Sequence, residues 1–251
     1  AGGDPVYSIE AGTGLATVDS NTGVITSIAV GTVSLTVTIP GDANYYGASA
    51  SQLITINMIT PTLTIISDDE VAVDSAITLT VSSTVMGGGD ITYSLEGGSG
   101  SATLDANTGM LIGVHVGTVT VTATSAGDTS YFPSSASKVI AIVKASPSLT
   151  ITSANAMSMG ESISLTVETT ATNGRGGAYT YNVVAGSGSA TIDANGILTA
   201  INAGSVTVEV VSAGDDDYYG ATASQEITIG KMTPTISITS ADNMPINSTL
   251  T

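Results

Sequence analysis

Cysteine and tryptophan are absent from the 251 residues, and phenylalanine and histidine occur once each. Without cysteine the chain has neither a disulfide framework nor a thiolate metal site. Aromatic residues make up only 4% against 42% hydrophobic residues in all, so any core must be aliphatic. Positive charge is scarce too: 4 basic residues face 21 acidic ones, for a net charge of −17. A field of that sign repels nucleic acid and anionic membrane surfaces, which are bound through clusters of Lys and Arg. No apolar run is long enough to cross a bilayer, so no membrane insertion is expected in this segment. The start, Ala1-Gly-Gly-Asp4, lacks the basic and apolar regions of a leader, and the expectation is either a removed signal or a window on a longer chain.

Catalytic side chains are equally sparse. The lone His115 is replaced by Ala29 and Asn202 at the matching places of the repeat described next, and no nucleophile, zinc or phosphate-loop motif accompanies it. The chain reads as non-enzymatic, with no cofactor.

What the chain does contain is one unit repeated. Thr13-Gly-Leu-Ala-Thr-Val-Asp19-Ser-Asn21 returns as Ser99-Gly-Ser-Ala-Thr-Leu-Asp105-Ala-Asn107 and as Ser187-Gly-Ser-Ala-Thr-Ile-Asp193-Ala-Asn195. Prolines 61, 147 and 234 open successive copies, giving complete copies at 61–146 and 147–233. Residues 1–60 match the back of a copy and residues 234–251 match its front. Repetition of this fidelity points to a structural array.

Within each copy apolar residues alternate with Thr and Ser at period two, the pattern of strands with one buried face. The clearest instance is Gly117-Thr-Val119-Thr-Val121-Thr-Ala123, matched by segments starting at Gly31 and Gly204. Leu63 and Ile65, Ile77 and Leu79, Tyr93 and Leu95, Ala102 and Leu104, Leu111, and Ile140 and Ile142 mark the others. About seven short strands in fewer than 90 residues predict an all-β fold, a two-sheet sandwich of immunoglobulin type. Short joints such as Lys144-Ala-Ser-Pro147 link the copies through a proline of fixed φ, which limits bending and predicts a semi-rigid rod.

Three motifs together resemble the bacterial immunoglobulin-like (Big) domains of microbial surface proteins and adhesins. They are Gly-Ser-Gly-Ser-Ala-Thr-Leu-Asp105-Ala-Asn107-Thr-Gly109, Gly117-Thr-Val-Thr-Val-Thr-Ala-Thr124, and Gly127-Asp128-Thr-Ser-Tyr131-Phe132, each with counterparts in the other copies. The resemblance implies an immunoglobulin-like sandwich and an extracellular, cell-surface setting. It implies no single ligand.

Four local features have both a chemical and a structural reading. Gly41-Asp42, Gly127-Asp128 and Gly214-Asp215 open loops ending in an aromatic pair, and Asp215, Asp216 and Asp217 are the residues expected to hold calcium if any cation binds. The structural reading is a turn begun by the Asp, with the aromatics plugging one end of the core. Asp19-Ser-Asn21-Thr-Gly23, Asp105-Ala-Asn107-Thr-Gly109 and Asp193-Ala-Asn195-Gly196 offer metal-ligating oxygens in the chemical reading and are tight turns between strands in the structural one, which the loss of Thr in the third copy favours. Lys138, where other copies carry Gln52 and Gln225, is either half of a covalent crosslink or a polar residue that discourages stray pairing. The outward Thr118, Thr120, Thr122 and Thr124 read as ordinary exposed-strand residues, although the abundance of Ser and Thr and the sequon Asn247-Ser-Thr249 suit glycosylation.

The two partial copies predict partners. Neighbouring copies joined head to tail, by strand complementation or by covalent continuation, would complete them. The expected function is a filament, stalk or adhesin shaft on a microbial surface. The alternative is a module that binds a surface glycan or protein receptor through its end loops.

Overall fold

The computed structural model of the chain describes residues 3–85, 87–172, 174–240 and 242–249. Every regular element among them is a strand, and no helix is long and apolar enough to cross a membrane. The chain divides into two compact units, Ala1–Val143 and Lys144–Thr251.

The first unit opens with five strands, β1 (Val6–Ala11), β2 (Leu15–Val18), β3 (Ile25–Ala29), β4 (Gly31–Ile39) and β5 (Ala48–Ile56). They form a sheet in the order β1-β4-β5 and a separate β2-β3 pair, all antiparallel. Nine strands follow: β6 (Leu63–Ile65), β7 (Glu70–Ala72), β8 (Ala76–Thr78), β9 (Val81–Ser83), β10 (Ile91–Gly97), β11 (Ser101–Leu104), β12 (Met110–His115), β13 (Gly117–Ser125) and β14 (Ser134–Val143). One face of this immunoglobulin-like sandwich is β10-β13-β14-β7, with β7 parallel to β14, and the other comprises β11-β12-β8 and the β6-β9 pair.

The second unit repeats the plan with β15 (Leu149–Ile151), β16 (Ala156–Ser158), β17 (Ser162–Ser164), β18 (Val167–Thr169), β19 (Tyr179–Ala185), β20 (Ser189–Ile192), β21 (Ile197–Asn202), β22 (Gly204–Ser212) and β23 (Ala221–Gly230). Its sheets are β16-β23-β22-β19, β17-β21-β20 and β15-β18.

The alternation works as the sequence predicts. Val119, Val121 and Ala123 on β13 are each at most 1% exposed, and Ile140 and Ile142 of the neighbouring β14 extend the same buried face. In the second unit Leu198, Val206, Val208, Val210 and Ile227 do the same. Each such side chain contributes about 1.5–3 kcal/mol by leaving water. The outward threonines join hydroxyls across the ladder, Thr36 with Ser51 and Thr122 with Ser137, both at 2.8 Å. Where β12 passes into β13 the chain crosses itself so closely that a Cβ on Gly117, at φ 141°, would lie 2.3 Å from the Gly100 nitrogen. Only glycine satisfies both conditions.

One expectation is revised: each complete copy has nine strands rather than about seven, because β7 and β9, and likewise β16 and β18, are three-residue strands made by long-range pairing. The linker residue Ala145 bonds within the second unit, to the loop at Asp217 and Tyr219. Among the described residues of 234–251 there is no strand.

The first copy is also less well buried. Val33 is fully enclosed, but Leu35, Val37, Ile54 and Ile56 are only half-buried, whereas their counterparts Val121, Ala123, Ile140 and Ile142 are at most 2% exposed. The difference lies in what covers them: among the described residues, no strands equivalent to β6 to β9 lie over the first copy.

Candidate functional site at the linker end of each sandwich

The loop between the last two long strands is built in the same way in every copy. The Asp42 Oδ1 accepts hydrogen bonds from the Asn44 and Tyr45 nitrogens at 2.7 and 2.8 Å. Asp128 does this for Ser130 and Tyr131, at 2.7 and 2.9 Å, and Asp215 for Asp217 and Tyr218, both at 2.9 Å. The second carboxylate oxygen reaches across the end of the sandwich, where the Gly88 nitrogen donates to Asp128 at 3.1 Å and the Gly176 nitrogen to Asp215 at 2.6 Å. An acceptor of several N–H groups is stabilised in its charged form. The Ser130 N–H first of all holds the Asp128 carboxyl below its ordinary pKa, and the Gly176 N–H does so for Asp215.

Against this loop lies the linker. Ile59 pairs with Tyr131 as a single parallel bridge, and Ala145 pairs with Tyr218 in the same way. Ala145 donates to the Asp217 oxygen at 3.0 Å and accepts from the Tyr219 nitrogen at 2.8 Å. Lys144 adds its ammonium to the Asp215 carbonyl at 2.5 Å and stands 6.0 Å from the Tyr219 ring centre. Tyr218 is thereby sealed at 2% exposure, with its hydroxyl 3.3 Å from both the nitrogen and the hydroxyl of Thr172. In the first copy Tyr45 is 60% exposed and Tyr46 stands wholly in solvent.

The structural reading of Asp215, Asp216 and Asp217 fits this geometry. Asp215 holds the turn and the cross-loop N–H, Asp217 is buried and pairs with Arg175 at 3.0 Å, and Asp216 points outward. Among the described residues no three His, Cys, Asp or Glu side chains converge as a metal site. The guanidinium also lies 5.8 Å from the Tyr218 ring, which ties the loop before β19 to the aromatic plug.

The Asp-x-Asn segments are turns, as expected. Asp19, Asp105 and Asp193 each accept two backbone N–H bonds between 2.8 and 2.9 Å, and their carboxyls are held below the ordinary pKa by the N–H groups of Thr22, Thr108 and Ile197 respectively. The closing Gly196, at φ 78°, lies flat against Tyr181, and a Cβ there would come within 2.8 Å of the ring. Lys138 proves to be a strap: its ammonium donates to the Ser67 carbonyl and sits 2.6 Å from Asp69, while Gln225 donates to the matching Ser153 carbonyl at 3.2 Å. His115 ends β12 on the exposed surface opposite Ser101. The linker bridge itself escaped the sequence, because one residue carries no periodicity.

Residues 145–220 match the bacterial Ig-like domain family, group 2. That stretch is similar to bacterial immunoglobulin-like domains. The match starts at Ala145, the residue that seals the aromatic plug, so the matched region includes this linker residue. Among solved structures, Drosophila N-cadherin EC1-4 is similar at 15% identity and a TM-score of 0.32, over 91% of this chain and 66% of that one. The S-layer protein rSbsC(31-844) is similar at 16% identity and a TM-score of 0.34, over 95% of this chain and 38% of that one. Fibronectin(III)-like modules of CbhA from Clostridium thermocellum match at 16% identity and 0.26, over 68% and 95%. A comparison with curated proteins gives no match.

Proposed function

We propose that the chain is a non-enzymatic, load-bearing segment of an extracellular shaft, stalk or filament on a microbial surface. The observation that carries this reading is the linker bridge. One residue, Lys144, separates the end of β14 from Ala145, and that residue is itself anchored to the Asp215 carbonyl. A joint with so little free chain passes tension directly from the last strand of one Ig-like domain into the core of the next. Near-identical aliphatic cores, repeated without a catalytic constellation, suit a mechanical role. The family match at residues 145–220 and the surface proteins among similar folds agree with an extracellular location. The test is single-molecule extension, in which each complete domain resists as a separate cooperative unit.

A second reading, adhesion through the end loops, is favoured by one feature. The second aromatic of each loop is exposed, Tyr46 fully, Phe132 at 47% and Tyr219 at 57%. Exposed rings at the end of a sandwich suit stacking on sugar faces. Binding to a panel of surface polysaccharides, abolished by Tyr219→Ala together with Tyr46→Ala, would support this reading over the mechanical one.

A further inference from the structure

The edge strand β19 is open at a point where its counterparts in the other copies are closed. It ends the sheet β16-β23-β22-β19, as β10 ends the matching sheet of the copy before it. The Gly186 nitrogen donates to the Ser205 carbonyl at 3.1 Å, which fixes the alternation, so Tyr179, Tyr181 and Val183 turn their N–H and C=O groups away from β22. In the first copy the matching outward N–H, that of Tyr7, donates to the Ser20 carbonyl at 2.9 Å, and in the second the Tyr93 N–H donates to Ala106 at 2.9 Å. Among the described residues the Tyr181 N–H makes no such bond to Ala194. The turn beyond β20 is one residue shorter, passing from Asn195 straight to Gly196 where Thr22 and Thr108 intervene in the other copies. In place of the bond there is a cleft of about 330 Å³, lined by Tyr179, Tyr181, Ile192 and Asp193 among others.

A guarding charge is missing from the same edge. Glu10 on β1 and Glu96 on β10 stand on the exposed face of their strands, and the same register places Val184 there on β19, 55% exposed. Charged side chains on an edge strand discourage further pairing. Residues 179–185, Tyr-Thr-Tyr-Asn-Val-Val-Ala, contain neither a charge nor a proline. Outward backbone groups on such a strand are a template for one more strand. The surroundings select its charge. Asp193 lines the cleft, and Glu209 lies beside Asn182 on the exposed face. A second copy of the chain would bring a further net charge of −17 to this field, whereas a basic segment is drawn to it.

We propose that β19 takes up an extended, basic segment of a partner protein as a fifth strand of the sheet β16-β23-β22-β19. The backbone of that segment bonds the outward groups of Tyr179, Tyr181 and Val183. Its apolar side chains, on one face, enter the cleft beside Tyr181 and Ile192, and its lysines or arginines, on the other, lie in the field of Asp193 and Glu209. Main-chain bonds supply the affinity, and the alternation of apolar and basic residues supplies the selection. The site uses none of the loop aromatics and stands apart from both the mechanical and the adhesive reading.

The full chain is titrated into a fluorescein-labelled peptide, Thr-Val-Lys-Val-Lys-Val-Thr, and into its counterpart Thr-Val-Glu-Val-Glu-Val-Thr, with binding read by fluorescence anisotropy. The expected result is that the lysine peptide binds at least tenfold more tightly than the glutamate peptide. Val184→Glu, which puts the charge of the other two edges at an exposed position and leaves the thermal midpoint in place, weakens that binding at least tenfold. A threonine inserted between Asn195 and Gly196, as in the other copies, weakens it too. Hydrogen exchange of the Tyr181 and Val183 amides slows in the complex, and that of Tyr93 is unchanged. No binding of either peptide at millimolar concentration, equal binding of the two, or undiminished binding to the Val184→Glu protein overturns the proposal. A sedimenting mass that rises with concentration and returns to the monomer in Val184→Glu assigns the edge to a second copy and overturns it as well.

Discussion

Tyr218 and Tyr45 occupy the same place in the repeat and differ in what lies over them. Tyr218 is 2% exposed beneath Ala145, Thr172 and Arg175, whereas Tyr45 is 60% exposed. Truncating a buried aromatic to alanine costs about 3–5 kcal/mol, the lost transfer energy plus the cavity left behind. The domain from 145 to 230 has an unfolding entropy of roughly 180 cal/mol/K at about 2.1 cal/mol/K per residue. Tyr218→Ala therefore lowers its midpoint by about 17–28 °C. Tyr218→Phe removes only the hydroxyl bonded to Thr172, worth about 1 kcal/mol and about 5 °C. Tyr45→Ala, in dilute protein, stays within the roughly 0.5 kcal/mol of a surface change. Differential scanning calorimetry of the three variants resolves these shifts. Equal losses for Tyr45→Ala and Tyr218→Ala would show that the linker bridge does not seal the plug, and the joint would lose its proposed role.

Other outcomes follow from the turns. Asp19, Asp105, Asp128, Asp193 and Asp215 all have lowered pKa values, so between those values and the ordinary 3.8 the unfolded chain binds more protons than the folded one. Their stabilisation is complete above about pH 5 and is lost as pH falls through the lowered values; a thermal midpoint that stays flat from pH 5 to pH 2 would contradict this. Gly196→Ala forces a side chain into φ 78° and against the Tyr181 ring, for a loss of about 1–3 kcal/mol in denaturant titration, whereas Gly97→Ala, with nothing within 4 Å, is near neutral. Arg175→Ala removes the guanidinium paired with the Asp217 carboxylate, which is only 9% exposed, and costs about 1–3 kcal/mol in denaturant titration.

The long strands were legible because their alternation and their burial coincide: Val119, Val121 and Ala123 read as an inward row and are one. Strands β7 and β9 were not, since three residues cannot show a period, and Glu70–Ala72 follows two aspartates in a stretch that reads as loop. Only pairing with β14, about 70 positions away, makes β7 a strand. Leu79 shows the same limit from the other side. It lies beyond the end of β8, yet is 3% exposed, and its nitrogen bonds the Gly109 carbonyl one step past the β8–β12 pairing. At the linker end the Asp turns were visible in the Gly-Asp spacing, since the side chain caps its own backbone. The bridge from Ala145 and the Arg175 pairing with Asp217 depend on tertiary approach, and no local pattern announces them.

Force extension of the single chain tests the central claim most directly. A load-bearing array predicts two separate, cooperative unfolding peaks of similar force, one for each complete Ig-like domain. Each peak releases about 280–310 Å of chain contour at roughly 3.3–3.6 Å per residue. Smooth extension without peaks, or both domains yielding together at low force, would contradict a mechanical role.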